Sequence, residues 1–148
     1  MTLSNQRIVQ GDSKDTILDN QGCNHYYKGE LKPALQRLRN ALELRERKTP
    51  NSLPVAESYI DIGLILKEQG DLVGALTYYH QALEIWERDE PSSLTVAMCY
   101  NNVGTVLSDQ GDLEGALKEY QKALDIQECE APNSLTVAMC YNNVGTVL

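Results

Sequence analysis

Apolar residues recur every three or four positions through most of the chain, in segments that short polar turns separate. In one segment Val96, Tyr100, Val103 and Leu107 fall on a single side of a helical projection, which is typical of an α-helix with one buried face. A second segment with the same period runs through residues 113–126. The pattern therefore predicts pairs of amphipathic helices.

The residues between the two segments are those that end one helix and begin the next. Ser93 is the predicted N-cap of the first helix of the pair. Gly111 can adopt the left-handed conformation that ends this helix, and Asp112 can cap the next one at its positive end. The pair Gly-Asp thus predicts a tight turn.

The same pattern repeats along the chain. The segments GDLVGALTYYHQALEI and GDLEGALKEYQKALDI begin at glycines 70 and 111, which stand 41 residues apart, and GELKPALQRLRNALEL from Gly29 is a weaker copy. A fixed period of this size predicts a solenoid, in which each unit buries its apolar face against the next. Three further sets keep the period: Pro50, Pro91 and Pro132; Tyr59, Tyr100 and Tyr141; Gly63, Gly104 and Gly145.

We therefore expect an all-α fold. A flexible tail is predicted for residues 1–13, followed by a repeat array at 14–148 with units at about 14–49, 55–90 and 96–131 and a half unit at 136–148. The predicted helices are 14–27, 30–47, 54–68, 71–88, 95–109, 112–128 and 136–148.

The repeated positions resemble the signature of the tetratricopeptide repeat, and the long unit with the phrase PNSLTVAMCYNNVGTVL is most similar to the kinesin light chain type of this repeat. The resemblance implies a right-handed α-solenoid of helix-turn-helix units. The first unit departs from the signature at Leu18, Gln21 and His25 and is predicted to be an end cap. The signature set is Tyr100, Val103, Gly104, Leu107, Gly111, Asp112, Ala116, Tyr120 and Ala123, matched by the set from Tyr59 to Ala82.

In such families the first helices of successive units line a concave groove that holds a peptide, often through an asparagine. The resemblance places that asparagine at Asn20, Asn102 and Asn143, whereas the second unit has Asp61, which cannot donate a hydrogen bond when ionised. The alternative, that these residues are ordinary solvated surface, stays open. The main candidates are Asn20, Asp61, Asn101, Asn102, Thr105, Asn142 and Asn143, and Asp19, Glu57, Lys67 and Thr146 complete the predicted groove.

The charge balance narrows the class of partner. Thirteen basic and twenty-one acidic residues give a formal charge of -8, which disfavours nucleic acid and anionic membranes and favours neutral or basic proteins and peptides. Lys67 alone cannot form the cationic clamp that holds a terminal carboxylate in some related domains. With no secretory signal and no apolar run long enough to span a bilayer, the predicted location is cytoplasmic.

Catalytic chemistry is not indicated. The four cysteines form no CxxC pair, His25 and His80 stand at unrelated repeat positions, and no phosphate loop or nucleophile elbow occurs. We therefore expect no enzyme activity, cofactor or metal site. Trp86 occupies the repeat position of Arg45 and Gln127, and we expect it to be partly exposed and to pack between repeats.

The leading hypothesis is a scaffold or adaptor that binds peptide segments of partner proteins. The helix ending at Leu148 lacks a following partner helix, so we expect either a fragment of a longer array or a chain whose open C-terminal end self-associates. Two alternatives therefore remain, a self-assembling structural module and the regulatory arm of a longer enzyme.

Overall fold

The helices lie within one or two residues of the predicted positions. The computed structural model describes residues 13–130 and 135–147, and the predicted tail before Ser13, together with Leu148, lies outside this part of the chain. Each helix extends as far as the amphipathic period of its residues continues, and it ends at a turn. In the described residues the helices are α1 (Lys14–Tyr27), α2 (Leu31–Lys48), α3 (Leu53–Glu68), α4 (Leu72–Asp89), α5 (Leu94–Asp109), α6 (Leu113–Glu130) and α7 (Leu135–Val147).

The helices pack as consecutive pairs, α1 with α2, α3 with α4 and α5 with α6, and each pair also contacts the next, while α7 packs on α6. Leu38, Ile62, Tyr79 and Val103 are almost fully buried along this stack. Burial of each of the three aliphatic side chains, Leu38, Ile62 and Val103, stabilises the fold by roughly 1.5–3 kcal/mol. The chain is therefore an α-solenoid, and no helix in its described part is long and apolar enough to cross a membrane.

The predicted turns are confirmed. Gly70 and Gly111 have φ values of +86° and +85°, in the left-handed region where a side chain would be strained. Asp112 caps α6 by accepting a hydrogen bond of 2.9 Å from the Gly115 amide, and Ser93 caps α5 by accepting one of 3.0 Å from the Thr95 amide.

A glycine allows the two helices of a unit to approach closely. A Cβ atom on Gly104 would lie 2.7 Å from the Tyr120 ring and 3.2 Å from the Ala116 carbonyl oxygen. Gly63 has the same relation to Tyr79, at 2.7 Å. The repeated glycine is therefore required by the helix crossing, as the alternation of small and large residues predicts.

A second repeated contact joins one unit to the next. In each case a tyrosine hydroxyl near the start of a first helix donates a hydrogen bond to a glutamate on the preceding second helix, thirteen residues earlier. The first unit has Leu18 at the tyrosine position, so this bond belongs to the later units. The three pairs are Tyr59 with Glu46, Tyr100 with Glu87, and Tyr141 with Glu128.

The prediction that Trp86 is partly exposed is wrong. Trp86 is only 6% exposed and belongs to the same buried cluster as Val96 and Cys99 of α5. The equivalent residues Arg45 and Gln127 are also buried. The reason is that the first helix of the next unit covers this part of the second helix, so the position is interior whatever residue occupies it.

Candidate functional site

The candidate residues lie on α1, α3, α5 and α7, the first helices of the units. Asn20 is half-buried on α1, and Asp61 is buried on α3. We use the name first-helix surface for the surface of α1, α3, α5 and α7 that carries the seven candidate residues. On α5 the half-buried candidates are Asn101, Asn102 and Thr105, and on α7 Asn143 is half-buried and Asn142 exposed.

Four of the seven candidates meet in one cavity of about 480 Å³ between α5 and α7, which we call the amide cavity. Its wall combines amide groups with the apolar side chains of Met98 and Met139. Primary amides both donate and accept hydrogen bonds, as a peptide backbone does. The lining residues are Leu94, Thr95, Met98, Asn101, Asn102, Thr105, Gln127, Met139 and Asn143, so Asn142 is not among them.

Thr105 is held in this cavity by its neighbours. The Thr105 hydroxyl donates to the Asn101 carbonyl oxygen at 2.9 Å, and the Tyr120 hydroxyl donates to the Thr105 hydroxyl oxygen at 3.2 Å. Tyr120 also packs on Gly104. The packing within the third unit therefore fixes one wall of the cavity.

A smaller cavity of about 250 Å³, which we call the Asp61 cavity, lies between the first two units. Asp61 is the only one of the seven candidates on its wall. Asn20 lines neither the Asp61 cavity nor the amide cavity. The lining residues are Cys23, Tyr26, Tyr27, Leu38, Asp61, Leu64 and Ile65.

Asp61 differs from the ionised groove residue that its sequence position predicts. It is only 8% exposed. Burial, with the negative charges of Asp19 and Glu57 and against the opposing charge of Arg45, raises the pKa of its carboxyl group to about 7. The raised pKa lets the Asp61 carboxyl group carry a proton close to neutral pH, and in that form it can donate a hydrogen bond, which weakens the objection that the second unit lacks a donor.

A buried arginine organises the neighbouring carboxylates. Arg45 on α2 donates to a side-chain oxygen of Asp19 at 3.1 Å and to the Ser58 hydroxyl at 2.7 Å, and it pairs with Asp15 at 3.5 Å. The hydrogen bond from Lys48 to Asp15, at 2.6 Å, lowers the pKa of Asp15 to about 2. This network ties α1, α2 and α3 together.

Arg45 was not among the predicted site residues, because an arginine on a helix usually lies on the solvated face. The repeat alignment did contain an indication that Arg45 is buried, because Arg45 occupies the same repeat position as Trp86. Tryptophan at one copy of a position indicates that the other copies face the interior as well.

Potential metal ligands also come together here, which the sequence did not predict. Within the described residues Asp19, Cys23 and Asp61 offer ligand atoms that all lie within 4.8 Å of one another. Asp19 and Cys23 stand four residues apart on one face of α1, and Asp61 comes from α3. Burial raises the pKa of the Cys23 thiol to about 12, so it is protonated at neutral pH, and Asp19 is already paired with Arg45. Both conditions make this group a weak metal site.

The sequence matches the family model described as "Tetratricopeptide repeat" over residues 54–129. Among solved structures, the crystal structure of BtubC (BKLC) from P. vanneervenii is similar, with a TM-score of 0.84 and 23% sequence identity. The alignment covers 90% of this chain and 54% of that one, so the chain spans about half the length of BtubC. No curated protein matches significantly.

Proposed function

Because the chain belongs to the tetratricopeptide repeat family, we propose that it is an adaptor that holds a peptide segment of a partner protein on a concave first-helix surface. Repeats of this family generally mediate protein–protein interaction, and their fold is typically a non-catalytic scaffold. The raised pKa of the buried Cys23 and Cys99 thiols, each about 12, supports a non-catalytic role for these two cysteines, since the thiolate is the nucleophile.

The observation that carries the proposal is the amide cavity. It brings Asn101 and Asn102 of one unit and Asn143 of the next to a single wall. Amides at fixed positions on consecutive units suit the repeating donors and acceptors of an extended peptide backbone. The apolar side chains of Met98 and Met139 add a surface that adapts to different ligand side chains.

The charges favour a neutral or basic partner segment, and we propose that the binding takes place in the cytoplasm. The formal charge is -8, and Arg45, the buried cation near this surface, is already engaged by Asp15 and Asp19. A terminal carboxylate of a ligand would therefore meet more negative than positive charge.

The amide cavity can be tested by replacing two of its asparagines. In the double variant Asn102→Ala, Asn143→Ala, affinity for a peptide selected from a random display library on the wild-type chain should fall roughly tenfold or more, since two hydrogen bonds are lost at about 0.5–1.5 kcal/mol each. Fluorescence anisotropy with the labelled peptide measures the change.

Asn142→Ala is the matched control, because Asn142 is exposed beside Asn143 and does not line the cavity. Its affinity should stay within about twofold of the wild type. Equal affinity of the double variant and the wild type, with circular dichroism showing both folded, would exclude the amide cavity as the binding site.

Self-association is a second candidate function, favoured by the surface of α7. Met139 and Tyr141 on this helix are 57% and 55% exposed. Large apolar side chains that remain exposed on a solenoid helix are typical of contact surfaces. The occupant in this case is a second copy of the chain.

Sedimentation velocity at increasing concentration tests this candidate. The wild-type chain should form dimers at high micromolar concentration, and Val144→Glu on α7 should remain a monomer, because the contact would bury an unpaired charge. Val73→Glu is the control, since Val73 is an exposed valine on α4. A wild-type chain that is monomeric at every concentration would rule the second candidate out.

A further inference from the structure

The Asp61 cavity combines apolar walls with one carboxyl group. Leu38, Leu64 and Ile65 form its aliphatic part. Tyr26 and Tyr27 add aromatic rings, whose centroids lie 5.6 Å apart in an edge-to-face arrangement. At about 250 Å³ the cavity exceeds the roughly 30 Å³ that one water occupies in the liquid several-fold, and one long side chain fits this space.

Asp61 supplies the carboxyl group of this wall, and no cation of the described residues is paired with it. It is more than nine-tenths buried, and among the described residues it forms no hydrogen bond or ion pair. The nearby Asp15 and Asp19 are different, because Arg45 binds both of them. Burying an unpaired carboxylate destabilises the fold by several kcal/mol, so binding a proton or a cation stabilises this group.

The charged groups around Asp61 come from all three neighbouring helices. Asp19 on α1 and Glu57 on α3 are negative, and among the residues that the structure describes Arg45 on α2 is the positive group. Burial, reinforced by Asp19 and Glu57, raises the pKa of Asp61 to about 7, so a proton is the counterion below that pH. A ligand that brings its own positive charge can replace this proton.

We propose that the Asp61 cavity receives one lysine or arginine side chain of the bound partner segment. The aliphatic stem lies against Leu64 and Ile65, and the charged end pairs with Asp61. Lysine and arginine suit such a site because their stems are apolar and their ends are cationic, and the rings of Tyr26 and Tyr27 can add cation–π attraction. This inference rests on the proposed function and adds a specificity pocket to it.

A divalent metal ion is the competing occupant, since Asp19, Cys23 and Asp61 are close together. The structure favours the side chain for three reasons. The Arg45 guanidinium already holds Asp19, and the Cys23 thiol would have to lose a proton that burial retains. The aliphatic part of the wall offers no ligand atom to a hydrated ion, whereas it can contact the stem of an organic side chain.

Parallel peptide-display selections on the full wild-type chain and on Asp61→Asn test the inference. Asparagine is the residue at this repeat position in the other units, at 20, 102 and 143, so the variant should fold, which thermal unfolding checks. Peptides from the wild-type selection should carry lysine or arginine at one fixed position, and those from the variant selection should not.

A wild-type-selected peptide should bind Asp61→Asn roughly tenfold to a hundredfold more weakly, because a charge-assisted hydrogen bond in a buried site is lost. Its affinity for the wild-type chain should rise as the pH increases through 7, and its affinity for the variant should stay flat there. Asp109→Asn, at an exposed carboxylate on α5, is the control and should behave like the wild type.

The outcomes separate the two proposals. Peptides selected without a basic preference would overturn the pocket and leave the adaptor function standing, whereas no selected peptide from either chain would overturn both. Zn²⁺ alone, titrated by calorimetry into the chelator-treated chain, gives the other decisive result. Micromolar or tighter binding that Asp61→Asn abolishes would assign the cavity to a metal and overturn the inference.

Discussion

Replacing Arg45 by methionine should lower the free energy of unfolding at pH 7 by about 3–5 kcal/mol. Arg45 is buried and bonds to Asp19 and Ser58, and it pairs with Asp15. Methionine fills similar space but leaves these groups without their cation. Because they belong to α1 and α3, the loss should loosen the first unit from the second. Urea unfolding followed by circular dichroism measures the change.

Arg47→Met is the matched control. Arg47 lies two residues further along α2 and pairs with Glu43 at 2.6 Å, but both side chains are mostly exposed. Exposed pairs contribute about 0–1 kcal/mol, so this variant should unfold close to the wild type. If the two methionine variants lose the same stability, the buried network does not hold the first two units together.

Replacing Asp61 by asparagine should raise the free energy of unfolding at pH 8 by about 2–4 kcal/mol. The pKa of Asp61 is raised from 3.8 in the unfolded chain to about 7 in the folded one, and each unit of difference corresponds to about 1.36 kcal/mol. The folded wild type therefore holds a proton between these two values that the unfolded chain releases. Its stability falls as the pH rises through this window.

Asparagine does not titrate, so the gain should be small below pH 4, grow between pH 4 and 7, and stay constant above pH 7. Urea midpoints of the wild type and the variant across this range give the profile. Asp109→Asn, at an exposed position on α5, should show little change at any pH. A gain that is independent of pH would mean that Asp61 is not a buried acid with a raised pKa.

The same substitution is thus expected to stabilise the fold and to weaken the binding of a basic segment. Opposite effects of this kind are typical of residues kept for function at a cost in stability. A role for Asp61 in folding alone would predict that stability and binding change together. Measuring both on one preparation of Asp61→Asn therefore separates function from structure.

Helix positions could be predicted well because they depend on local information. The period of apolar residues gives the faces, and Ser93, Gly111 and Asp112 give the ends, each confirmed by a cap or a positive φ. The family could be recognised because the repeat places glycine opposite tyrosine, as Gly104 and Tyr120 show.

Burial at the joints between units could not be predicted in the same way. Arg45 and Asp61 are polar residues on amphipathic helices, and a helical projection places such residues at the surface. Their burial arises from the approach of a neighbouring unit, which depends on packing distances rather than on the period. The amide cavity could be predicted only in part. The repeat alignment identified Asn102 and Asn143, but it did not identify Met139 or Gln127, which enclose the cavity.

The tyrosine–glutamate bonds between units have a consequence for how such a chain can change its length. Each bond joins residues thirteen positions apart, on either side of one connecting loop. A genetic duplication or deletion of one whole period with both breakpoints in the later units, from Glu46 onward, keeps this spacing of tyrosine and glutamate. The identical segments 93–107 and 134–148 are what a duplication of this kind leaves behind. Arrays of this sequence type can therefore gain or lose units without any new interface having to evolve.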